Sequence, residues 1–118
     1  MSYYPHYPNV NIDHIYKYEG QYNHDEQYSL LCSGITGRLV KGTKLKYSSN
    51  SEYQNVTHKL GITRDDIDDL EILNNIPNKS VVIMAGSKFL VKETKIISGF
   101  TKPVKINLYL QEDDSIEV

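Results

Sequence analysis

Residues 61–91 constrain the fold more than any other part of this sequence, because an acidic segment with regularly spaced apolar residues stops abruptly there and an apolar segment follows. The apolar positions of the acidic segment are Ile67, Leu70, Ile72 and Leu73. This spacing predicts an amphipathic helix. Thr63 is a residue type favoured at a helix N-cap. The asparagines at 74–75, followed by Pro77, are typical of a helix C-terminus. We therefore expect a helix over residues 63–73.

The flanking residues predict a second helix and several short strands. Residues 52–60 follow polar residues suited to an N-cap and precede Gly61, a good C-terminal residue, so they predict another helix. Apolar alternation, as in Val104, Ile106, Leu108 and Leu110, predicts strands elsewhere. The predicted strands cover residues 28–32, 43–48 (after a glycine-punctuated turn beginning at residue 34), 81–93 with a break near Gly86, and two stretches within 94–111.

This order of elements resembles the LysM domain over residues 45–92. The run HKLGITRDDIDDLEILNNI resembles its two helices, and IMAGSKFLV resembles its closing strand, with Ala85-Gly86 in place of the usual Pro-Gly. The resemblance implies an α+β fold: a LysM-like βααβ module with two short helices on a small antiparallel sheet, extended by extra strands on both sides. It places these side chains in the core: Leu45, Tyr47, Tyr53, Val56, Phe89 and Val91.

LysM domains generally bind N-acetylglucosamine polymers such as peptidoglycan or chitin in a groove between two loops. Carried over to this chain, the groove residues are Asn50, Ser51, Glu52, Tyr53, Asn75, Ile76, Pro77 and Asn78. Ile76 and Pro77 would form an apolar floor for the acetamido methyl group, and the asparagines would supply hydrogen bonds. The first loop departs from the family pattern, since Asn50, Ser51 and Glu52 replace the usual Gly-Asp-Ser/Thr.

Composition divides the chain into a tyrosine-rich arm (1–27), one α+β domain (28–110) and an acidic tail (111–118). Tyrosine is a large amphipathic side chain favoured at interfaces, and the arm has too few aliphatic residues to bury a core of its own. We expect the arm to contact a neighbouring subunit through Tyr3, Tyr4, Tyr7, Tyr16, Tyr18 and Tyr22. A disordered tail is the alternative, and packing of the arm on the protein's own body is left open.

The composition also argues against several classes of function. A net charge of −2 argues against a nucleic-acid-binding protein that depends on overall positive charge. No run is apolar enough to insert in a membrane, and the N-terminus lacks the pattern of a signal peptide. The histidines and Cys32 form no motif for a metal, cofactor or catalytic group, so we expect no enzyme activity.

Two functions remain as hypotheses from the sequence. The first is a non-enzymatic structural or adaptor protein of a larger assembly, such as a virus or phage particle or a cytoskeletal array, whose partners are other protein subunits. The second is a module that binds peptidoglycan or chitin. The single cysteine favours a location inside the cell or within a particle.

Overall fold

The computed structural model describes residues 8–41, 56–100 and 103–118, which form a closed antiparallel barrel. Its six strands are β1 (Val10–Tyr22), β2 (Asp25–Lys41), β3 (His58–Thr63), β4 (Val81–Met84), β5 (Ser87–Ser98) and β6 (Pro103–Glu112). Around the barrel the order is β1-β2-β3-β6-β5-β4, and β4 pairs with β1 to close the sheet. Since each strand has a neighbour on both sides, closure satisfies backbone groups that an open sheet would leave at its edges.

Alternating apolar side chains fill the barrel. On β6 Ile106, Leu108 and Leu110 point inward, as the sequence predicts, whereas Val104 is exposed. Phe89 and Val91 are buried as expected, and so is Val56. The core contains Ile12, Ile15, Leu60, Ile62, Ile67, Leu70, Leu73, Ile76, Val82, Met84, Phe89, Val91, Ile106, Leu108 and Leu110. Burial of these apolar side chains is the main stabilising contribution to the fold.

The predicted α+β class is wrong, since the described residues contain one short 3-10 helix, Leu70–Leu73, and otherwise strands and turns. The helix expected over residues 63–73 is a turn followed by this 3-10 helix. Leu70 and Leu73 are both buried, because residues three apart share a face of a 3-10 helix, and Ile67, which precedes that helix, is buried as well. Ile72, expected in the same apolar stripe, is exposed.

The helix predicted over residues 52–60 is also wrong where the structure describes it. Residues 58–60 belong to β3, which pairs with β2 on one side and β6 on the other. His58, Leu60 and Ile62 are buried, a period of two that matches a strand. Hydrogen bonding to two long strands outweighs the local capping signals, and residues 52–55 lie outside the described residues.

The LysM resemblance is wrong because a LysM domain has two helices between its strands. The described residues instead form a six-stranded barrel. The core positions Leu45, Tyr47 and Tyr53 implied by that resemblance lie outside the described residues, as does the strand predicted over 43–48. The Ala85-Gly86 pair is the two-residue turn of the β4–β5 hairpin, with φ of 51° and 78°. A break near Gly86 is therefore confirmed.

The turn predicted from residue 34 is wrong where the structure describes it, since β2 runs unbroken from Asp25 to Lys41. The same strand includes the strand expected at 28–32. Gly37 within it is buried. A Cβ there would lie 2.9 Å from the side chain of Leu60 and 3.1 Å from the carbonyl oxygen of Gly61. Glycine at this position thus reflects close packing rather than a turn.

Candidate functional site

The loop predicted to contact a sugar lies between the 3-10 helix and β4. Asn75 and Asn78 are exposed there, Pro77 is half-buried and Ile76 is buried. Ile76 packs in the barrel core, so its side chain is not available as the floor of a groove. The other loop, Asn50, Ser51, Glu52 and Tyr53, lies outside the described residues. The groove predicted between the two loops therefore falls partly outside the described residues.

Three of the predicted contact tyrosines lie on β1, so this part of the arm packs against the protein's own body. Tyr16 and Tyr18 are half-buried, and Tyr22 is exposed near the β1–β2 turn. The ring of Tyr18 contacts that of Tyr28 at 5.6 Å, and Lys79 Nζ lies 5.5 Å from the Tyr18 ring. A hydrogen bond to Glu26 raises the pKa of Tyr18. Tyr3, Tyr4 and Tyr7 lie outside the described residues, and contact with neighbours stays a prediction.

Reactive side chains are few in the described part of the chain. Burial raises the pKa of the Cys32 thiol to about 11, which leaves the nucleophilic thiolate scarce at neutral pH. No group of three or more His, Cys, Asp or Glu side chains there is arranged to hold a metal ion. Nor does any helix of the described ranges have the length and apolarity to cross a membrane.

The β5–β6 hairpin exposes apolar side chains at its end. β5 and β6 contain 12 and 10 residues, whereas their neighbours β3 and β4 contain 6 and 4, so the hairpin extends beyond them. The extension exposes four apolar side chains, which we name the hairpin patch: Ile96, Ile97, Phe100 and Val104. Phe100 is fully exposed. Clustered exposed apolar residues mark interaction surfaces more often than scattered ones.

A groove lies between β2 and the loop that follows β3. Its volume is about 480 Å³. The residues that line it include the apolar side chains of Ile35, Ile67 and Ile72 and the carboxylates of Asp65, Asp66, Asp68 and Asp69. We name this feature the acidic groove. Gly34, with φ of 67°, contributes backbone without a side chain to its wall.

Asp66 fixes the shape of the acidic groove. Its Oδ1 accepts a hydrogen bond from Thr36 Oγ1 at 2.6 Å, which ties the loop to β2. Its Oδ2 accepts one from the Thr63 backbone N–H at 3.0 Å, which closes the turn after β3. Asp69 then accepts from the Glu71 backbone N–H and caps the 3-10 helix. Hydrogen bonds of Asp66 and Asp69 therefore hold the loop that carries the carboxylates of the groove.

The comparisons with known proteins give no relative. The chain matches no protein-family model, no curated protein and no solved structure.

Sequence reasoning missed both the hairpin patch and the acidic groove. The run Ile96-Ile97-Ser98-Gly99-Phe100 contains apolar residues on both sides of a turn signal, which is a sign that a hairpin end is exposed. The groove had no such signal. The amphipathic helix predicted over residues 63–73 would place Asp65, Asp68 and Asp69 towards solvent, and only the barrel brings Ile35 of β2 to the same groove as Ile67.

Proposed function

We propose that this protein is a non-enzymatic subunit of a larger protein assembly, and that the hairpin patch is its docking element. The observation that carries the proposal is the exposure of Ile96, Ile97, Phe100 and Val104 together at the end of one hairpin. Removing such side chains from water gains about 25 cal/mol per Å² of apolar surface buried. The glycan-binding alternative depended on a LysM groove, and it is not carried forward because the LysM fold is contradicted.

The partner that fits best is a second copy of this chain, which would receive the hairpin patch in its acidic groove. Ile35, Ile67 and Ile72 among the lining residues of the groove would contact Phe100, and Asp65, Asp68 and Asp69 also line it. Lys105 lies on β6, which leads to the hairpin end, so its charge is opposite in sign to the aspartates that line the groove. Because the two surfaces differ, this contact is heterologous and would join copies head to tail.

Sedimentation velocity over a range of protein concentrations tests this proposal. Association of the wild-type chain should weaken roughly tenfold or more in Phe100→Ser, since buried aromatic anchors commonly contribute about 2 kcal/mol or more. The matched control is Tyr22→Ser, which removes an exposed aromatic side chain from the other long hairpin and should associate normally.

A mixing experiment separates docking from a general loss of solubility or folding. Phe100→Ser keeps an intact groove, and the double variant Asp68→Lys/Asp69→Lys keeps an intact hairpin. Each alone should remain monomeric, while an equimolar mixture should form dimers and stop there. A wild-type chain that stays monomeric at all concentrations, or a mixture that does not associate, would contradict the proposal.

A further inference from the structure

Closure of the barrel covers only one end of β2. Pairing with β1 runs over residues 25–37, whereas β3 pairs only with residues 38–41. A β-bulge at Leu31 ends the regular part of the ladder with β1. No residue that the structure describes forms a backbone hydrogen bond with the far side of residues 25–30. We name residues 25–30 the open edge.

The backbone groups of the open edge point outward at alternate residues. The Tyr18 backbone N–H donates to Ser80 Oγ at 3.0 Å, on the side of β1 that faces away from β2. Tyr28 is the partner of Tyr18 across the ladder, and the two members of an antiparallel pair exchange both hydrogen bonds or neither. The N–H and C=O of Tyr28 therefore point away from β1. Because these groups alternate along a strand, those of Glu26 and Leu30 do so too.

The middle of β2 lacks the features that usually block a strand edge. Proteins protect long edges with lysine, proline or a covering segment. Residues 27–37 contain no charged residue and no proline, and Leu30 on the open edge is 55% exposed. A two-stranded ribbon is also marginally stable without a third strand or a packed face. The open edge is therefore suited to accept an added strand, a recurring mode of peptide recognition.

The cavity next to the open edge selects the charge of what binds there. It has a volume of about 580 Å³, and Tyr28 and Leu90 line it together with one lysine, Lys79. Four carboxylates also line it, those of Asp25, Glu26, Asp113 and Glu117. A hydrogen bond from Ser115 lowers the pKa of Asp113, so this carboxylate is ionised at neutral pH. The carboxylates outnumber the lysine among the described lining residues, which favours a positively charged side chain.

We propose that the open edge binds an extended basic segment of another protein as an added antiparallel strand. The backbone of the segment pairs with Glu26, Tyr28 and Leu30, a lysine or arginine enters the cavity, and an apolar residue packs beside Leu30. A second copy of this chain fits less well, because it would bring its own Asp25 and Glu26 into the same ladder. This inference goes beyond the docking proposal, since it concerns a different surface and a different partner.

Fluorescence anisotropy with a dye-labelled peptide, acetyl-TVTKTVT-amide, tests the inference. Its lysine and two valines share one face of a strand, as the proposed contacts with the cavity and Leu30 require. Wild-type protein should bind this peptide saturably, and the peptide with glutamate in place of lysine should bind about tenfold more weakly.

Two methylated peptides separate backbone pairing from side-chain contact. In the proposed ladder the N–H groups of the valines donate to the open edge, and those of the two threonines beside the lysine point away from it. N-methylation of both valines should therefore weaken binding about tenfold or more, since it removes two hydrogen bonds. The matched control carries N-methyl groups on those two threonines and should bind as the unmodified peptide does.

A pair of protein variants tests the same ladder from the other side. Leu30→Pro removes one outward N–H and should weaken peptide binding about tenfold. Leu30→Thr shortens the side chain but keeps that N–H, so it should bind more tightly than Leu30→Pro. Far-ultraviolet circular dichroism checks that both variants fold, and the methylated peptides test the ladder on the wild-type chain alone.

Three results would overturn the inference. They are absence of saturable binding at roughly millimolar peptide, equal binding of the two methylated peptides, and equal binding of the lysine and glutamate peptides. Dimers of Phe100→Ser that Leu30→Pro abolishes would show instead that a second copy occupies the open edge, and would overturn it too. Monomeric Phe100→Ser should bind the peptide normally, so failure of the docking proposal and failure of this one give different results.

Discussion

His58 is a titratable side chain in the wall of the barrel, held in a largely apolar setting. It is 7% exposed, its ring meets the Phe89 ring edge-on at 5.0 Å, and its Nδ1 is hydrogen-bonded to Thr57 Oγ1. Burial lowers the pKa of His58, and Lys41 lowers it further, while Glu112 partly offsets both. The folded state therefore favours the neutral imidazole.

This shift makes stability depend on pH in a defined direction. An unfolded histidine has a pKa of 6.5, above the folded value, so the unfolded state binds the proton more readily. The free energy of unfolding should therefore fall as the pH drops through about 6.5, by at most about 1.4 kcal/mol per pH unit from this one group. Urea denaturation between neutral and mildly acidic pH measures it. His58→Gln should show a smaller decrease, and an unchanged slope would refute the role of His58.

At the scale of elements, the hairpins show what local sequence predicts. Alternation on β6 and the glycine between β4 and β5 predicted strands that the structure confirms. The helix predicted over residues 63–73 was wrong because Thr63 and Asp66 form hydrogen bonds typical of a helix start. In the barrel the same hydrogen bonds close a turn. Only pairing with distant strands decides between these outcomes. The acidic groove and hairpin patch depend on that pairing, so the sequence did not predict them.

The β4–β5 turn offers a prediction about one element. Ala85 has a φ of 51°, in the left-handed region, where an ordinary L-residue costs about 1–2 kcal/mol and asparagine is better tolerated. Asn-Gly is also the preferred pair for a two-residue turn of this kind. Ala85→Asn should therefore raise the free energy of unfolding by roughly 0.5–1 kcal/mol, measured by urea denaturation. Ala85→Val, with a branched side chain, should lower it, and equal stability of the two variants would contradict the argument.

At the scale of the whole molecule, we expect the barrel to unfold as one cooperative structure because its first strand closes against β4. Ile12 and Ile15 lie on β1 and pack in the same core as Met84 and Leu108. The pairing of Ile12 with Met84 lies at the seam between β1 and β4. Loss of contacts at this seam should therefore weaken every strand together rather than release one hairpin.

Met84→Ala tests this cooperativity. Removing a buried methionine side chain should cost about 2–5 kcal/mol, since the core relaxes only partly around the cavity. The unfolding midpoints from far-ultraviolet circular dichroism and from tyrosine fluorescence should shift together in urea; the chain has ten tyrosines and no tryptophan. Separate midpoints for the two probes would show that the β1–β2 hairpin unfolds independently.

The seam between β1 and β4 also has a consequence for biosynthesis. β1 and β2 can pair as soon as both have left the ribosome, but the other edge of β1 has no partner until Val81–Met84 has been made. Throughout that interval the nascent chain carries an open strand edge of the kind that promotes wrong pairing between chains. Slow translation upstream of residue 81 would prolong this exposure, so the yield of folded protein should depend on how quickly the ribosome delivers β4.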